Sequence, residues 1–181
     1  MWESLKSDSG YYSCWYNRLQ GALFLLAFLT FGIGDAITGA MMVEQRGIMG
    51  EGNLIVRYII INFGASDFIL IKLCVTFVLL LLPFLILDET YYWIISGYLV
   101  SFIVAGTLGI ILNIQASRNE TLFLSAEQAM SVFIILVLIL TSIGERIDKQ
   151  ANARTIPYSK CILNDIAIFL LIIINRFKKN E

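Results

Sequence analysis

Three runs of apolar residues, at 20–43, 66–87 and 91–114, each match or exceed the roughly twenty residues that a helix needs to cross about 30 Å of hydrocarbon. A fourth, shorter but long enough, follows the polar segment 117–125 and ends near Gly144. Segments of that length leave few alternatives, because backbone groups in lipid must be satisfied within their own helix. Composition agrees: 58% of residues are apolar and 15% charged, against roughly 25% charged in a soluble domain. The expected fold is all-α, a polytopic membrane bundle of four transmembrane helices plus a short interfacial or fifth C-terminal helix.

The chain divides on this basis into three parts. Residues 1–19 form an acidic, aromatic and polar segment, unlike the short basic start of a signal peptide, so the first helix is expected to be retained. Residues 20–115 form a three-helix membrane unit, and 116–181 hold the fourth helix, a charged loop and a short apolar run at 161–175 interrupted by Asn164 and Asp165. Residues 54–62 are apolar but too short to cross, and are expected at the interface. Ser66 is the expected N-cap of the second span, Pro83 should kink it, and Ser125 to Gln128 reads as a capping box for the fourth helix. With Arg46, Arg57 and Arg118 on one side and Arg146, Lys149, Arg154 and Lys160 on the other, the positive-inside rule puts the N-terminus and the 145–160 loop in the cytoplasm.

Several function classes are disfavoured by what the chain lacks. A net charge of −1 offers no basic excess for nucleic acid. Histidine is absent, which removes the commonest general base and metal ligand. Cys14, Cys74 and Cys161 are too widely spaced for a zinc or disulfide pattern and read as apolar fillers. No cofactor motif is present, and no metal can be named.

The informative residues are the polar ones in apolar surroundings, because a charge at the centre of a bilayer costs at least about 2.5 to 3.5 kcal/mol. Asp35 stands about eight residues from the outer end of the first span and Lys72 about six from that of its antiparallel neighbour, so at 1.5 Å per residue the two lie at matching depth and can pair. Thr38 shares the helix face of Asp35 at i+3. Glu51, Asn53 and Arg57 follow in the connection at the same side, and Asn113 lies near that end of the third span. Asp35, Thr38, Glu51, Asn53, Lys72 and Asn113 are therefore the candidate ligand or ion-binding cluster. Gly97, Ser101, Ala105 and Gly109, with Gly32, Ala36 and Ala40, form small-residue ridges suited to close helix packing.

The set Asp35-x-x-Thr38, Gly50-Glu51-Gly52-Asn53, Phe68 with Lys72, and Asn113 resembles an uncharacterised family of small bacterial and archaeal integral membrane proteins, a domain of unknown function. Its pattern is D-x-x-T at the end of a first helix, E-x-N-P after it and a Lys in the second. The resemblance spans roughly residues 21–115, and Leu54 stands where the family has proline. It implies a multi-pass protein of a prokaryotic cell membrane and carries no activity.

Two functions of different class fit these residues. One is binding or transport of a small ion or solute, with Asp35, Glu51 and Asn53 offering oxygen ligands and Lys72 as counter-charge in the empty site. The other is a non-catalytic accessory or scaffolding subunit of a membrane complex. Four spans are few for a monomeric transporter, so a homo-oligomer or complex partners within the lipid bilayer are expected. A membrane enzyme, with Asp35 or Glu51 as base, is the least supported, since no catalytic constellation accompanies them.

Overall fold

The computed structural model describes residues 18–87 and 91–151. Nearly all of the segment 1–19, the turn at 88–90, and everything from 152 onward, including the apolar run at 161–175, lie outside the described residues. Within them the protein is all-α and without strands. Four helices are long and apolar enough to cross a membrane: α1 (Arg18–Arg46), α2 (Leu54–Ile86), α3 (Tyr92–Ser117) and α4 (Ala126–Ala151). By length and composition this is a multi-pass membrane protein.

Helix α3 organises the bundle, packing against α4 on one side and α1 on the other, while α2 leans mainly on α1 and touches α3 lightly. Glycine explains the division. A Cβ at Gly97 would lie 2.6 Å from Leu140 O, and one at Gly144 would lie 2.5 Å from Trp93 O, so α3 and α4 meet backbone to backbone. Farther along, Gly106 lies against the backbone of Thr30 and Phe31 in α1. The ridge from Gly97 to Gly109 thus serves two neighbours, because each i+4 step turns about 40° round a helix of 3.6 residues per turn and three steps change its face. Helix α2 offers large side chains and no such ridge. It does not form the close hairpin with α3 that antiparallel succession would allow.

Helix α1 is not uniform. Residues Phe28–Gly34 form a π-helical segment, closed by Asp35 N–H donating to Thr30 O and Gly32 O. Segments of this kind are uncommon and recur at functional sites. Here it immediately precedes Asp35. Helix α1 stops at Gly47, whose φ of 77° suits glycine.

The interruption of α2 falls at Gly64, with φ 89° and ψ 171°, two residues before the expected Ser66 cap. The true N-cap is Asn53, whose Oδ1 accepts from Ile55 N and Val56 N at 2.9 and 3.5 Å. Residues 54–63 are therefore one helix with the span, broken from it by a single glycine. The 22 residues from Ala65 to Ile86 would by themselves suffice for a crossing at about 1.5 Å each.

Pro83 does not break the helix, and Gly64 is the only non-helical residue inside it. Proline lacks the N–H that would serve the carbonyl four residues back. That carbonyl, Leu79 O, instead accepts the Tyr98 hydroxyl from α3 at 3.1 Å. The predicted capping box forms in full: Ser125 N donates to Gln128 Oε1 and Gln128 N to Ser125 Oγ. Helix α4 then runs past Gly144 to Ala151.

Candidate functional site

Asp35 and Lys72 pair as their depths require. Lys72 Nζ lies 2.6 Å from Asp35 Oδ2, and the two side chains are only 22 and 16% exposed, respectively. The second oxygen, Oδ1, accepts from Asn113 Nδ2 at 2.8 Å. The same amide donates to Thr38 Oγ1 at 3.2 Å, and that hydroxyl donates to Gly34 O at 2.9 Å. Three helices thus converge on one carboxylate.

The carboxylate is held more firmly than its cation. A Cβ at Gly109 would lie 2.5 Å from Asp35 Oδ1, so only glycine there leaves room for the acid. Gly109 and Asn113 are one turn apart on α3 and together form its wall. Lys72, by contrast, ends a flexible four-carbon stem. Its ammonium stands 6.0 Å from the Phe31 ring centroid and 5.7 Å from that of Phe68, at the outer range of cation–π attraction. Those two rings were not part of the predicted cluster, although Phe68 precedes Lys72, and Phe31 precedes Asp35, by one helical turn.

Glu51 and Asn53 belong to a different set. Glu51 Oε1 accepts from Asn53 N at 2.8 Å, the Arg57 guanidinium donates to Glu51 O, and Asn53 caps α2. No hydrogen bond or ion pair among the described residues joins them to Asp35 or Lys72. The expected cluster of six resolves into a four-residue site, Asp35, Thr38, Lys72 and Asn113, and a separate helix cap.

One polar constellation was not foreseen at all. At the opposite end of the bundle the Asp148 carboxylate of α4 accepts from Trp93 N at 2.9 and 3.1 Å and from Ile94 N at 3.0 Å. Beside it, buried Gln20 of α1 donates to Tyr92 O at 3.0 Å. An acid from another helix so satisfies the orphan N–H groups at the start of α3. Nothing local in the sequence around Asp148 signals it.

No group of three or more acidic or cysteine ligands that could hold a metal occurs among the described residues. The chain matches neither a curated protein nor a solved structure. A family model does match, over residues 26–118, and these bounds take in most of α1, all of α2 and α3, and every member of the Asp35 site while leaving out α4. On that match, which covers just over half of its length, the chain belongs to the family described as a domain of unknown function, DUF5658.

Proposed function

We propose that this membrane protein binds a small cation or a small cationic solute at Asp35, in exchange for the Lys72 ammonium, as a step in moving it across the membrane. The observation that carries this reading is the asymmetry of the pair: a carboxylate fixed by Asn113 and Gly109 faces a cation on a flexible stem with two aromatic rings beside it. A cation arriving at Asp35 could displace Lys72 without leaving the ammonium unattended. The Asn113 amide, turned over, would present its oxygen beside Asp35 Oδ1 and Thr38 Oγ1, an all-oxygen set suited to hard cations. The π-helical turn ahead of Asp35 adds weight. Four spans are few to enclose a path, so assembly of several copies belongs to the proposal.

The alternative, an accessory or scaffolding subunit, loses part of its basis. Gly97 and Gly109, two members of the small-residue ridge that could have received a partner, are occupied by Leu140 and Asp35 of the same chain.

The test is thermal stability of the purified protein in Li⁺, Na⁺, K⁺, Mg²⁺ and Ca²⁺ at constant ionic strength. At least one cation should stabilise the wild type and should stabilise Lys72→Met more, since the competing ammonium is gone. Asp35→Asn should not respond. Indifference of both the wild type and Lys72→Met to every cation would sink the proposal.

A further inference from the structure

The end of the bundle that carries Arg46 holds a cleft with no role so far. Helices α1 and α3 are in close contact at Gly106 and are joined again where α1 ends and just past α3, where Arg46 Nε donates to Asn119 Oδ1 at 3.0 Å. Between these points lies a cleft of about 300 Å³, lined by Thr38, Met41 and Gln45 from α1 and by Ile114, Ser117 and Arg118 from α3. The α1 residues are spaced three and four apart and so share one face. The cleft is apolar along its walls, where Met41 is 49% and Ile114 38% exposed, and its polar side chains with free donors stand at the mouth, Gln45 and Arg118.

An open apolar cleft on a membrane helix pair is surface for lipid, and the cation at its mouth says which kind. Among the described residues the Arg118 side chain has one charged neighbour, Glu120 Oε1 at 4.0 Å, with side chains 69 and 51% exposed. A pair that long and that solvated holds little, and the planar guanidinium keeps donors for a phosphate. Arg46 uses only Nε on Asn119 and keeps its terminal nitrogens as well. We infer that the cleft between α1 and α3 is a binding site for an anionic phospholipid, with one acyl chain along Met41 and Ile114 and the phosphate on Arg118. A zwitterionic lipid carries its own cation beside the phosphate and gains less from the arginine.

The cleft borders the Asp35 site at Thr38, but the residues assigned to the lipid, Met41, Ile114 and Arg118, are not members of that site. Full-length protein is reconstituted with equal amounts of phosphatidylglycerol and phosphatidylcholine, taken into mild detergent, and its retained lipids are counted by native mass spectrometry. Retention of phosphatidylglycerol should exceed that of phosphatidylcholine by about fivefold, the effect of one surface arginine on an anionic headgroup. Arg118→Gln should abolish the preference, Glu120→Gln should increase it, and Met41→Trp, which fills the cleft from an exposed position, should lower retention of both lipids. Inorganic phosphate should displace neither. Equal retention by the wild type, an undiminished preference in Arg118→Gln, or displacement by free phosphate would each overturn the inference.

Discussion

Asp35 and Asp148 are both carboxylates set among apolar helices, one toward each end of the bundle, and the protein holds them by opposite means. Among the described residues Asp148 accepts from backbone N–H groups, those of Trp93 and Ile94. Such donors cannot move unless α3 itself unwinds. Asp35 accepts from two side chains, the Lys72 ammonium and the Asn113 amide, and either can rotate away without disturbing a helix. The first arrangement is suited to fixing a fold, the second to exchange, although the residue type is the same. What distinguishes a structural acid from a candidate binding acid here is the freedom of its donors.

The sharpest attack on that contrast removes Lys72. Lys72→Met strands Asp35 in a site walled by Gly109, and should cost about 3 to 5 kcal/mol in denaturation from detergent micelles. Asp35→Asn should cost less, because a released lysine can extend toward water. The double variant should be more stable than the summed single losses predict. If the losses simply add, the pair does not act as a unit.

Asp148→Ala comes next, at about 2 to 3 kcal/mol, from the loss of charge-assisted bonds at a helix start. Here the comparison makes a qualitative demand. No cation should rescue Asp148→Ala, whereas one should rescue Lys72→Met, and equal behaviour of the two would erase the distinction between the ends.

Two glycines sharpen it further. Both Gly109→Ala and Gly144→Ala place a methyl about 2.5 Å from an oxygen, the Asp35 carboxylate in one and Trp93 O in the other, and each should cost about 1 to 3 kcal/mol by overpacking. Only Gly109→Ala should alter the response to cations. The smallest effect concerns the bond that compensates for proline: Tyr98→Phe should cost about 1 kcal/mol by orphaning Leu79 O, and Pro83→Ala should make the same change nearly neutral by returning an amide donor to that carbonyl.

Much of this was legible along the chain. Apolar length specified the four helices, and 1.5 Å per residue was enough to match Asp35 with Lys72. The capping box at Ser125 to Gln128 was readable because it is a local pattern. Glu51 and Asn53 were grouped with Asp35 by their position along the chain, whereas their hydrogen bonds are local. Sharing a leaflet does not mean sharing a site, and their partners turned out to be residues within six positions of them.

The linear sequence, then, determined what depends on length and neighbours: that helices form, where caps stand, and how deep each charge lies along its own axis. Tertiary structure alone decided which faces meet. A helix face turns with every residue, and the π-helical turn at Phe28–Gly34 shifts the face of everything after it, including Asp35. Whether Gly109 would press on that carboxylate, or Asp148 would reach the start of α3 from 54 residues away, depends on rotations between helices about their axes. Those rotations are set by backbone contacts at a few glycines, whose partners lie elsewhere in the chain.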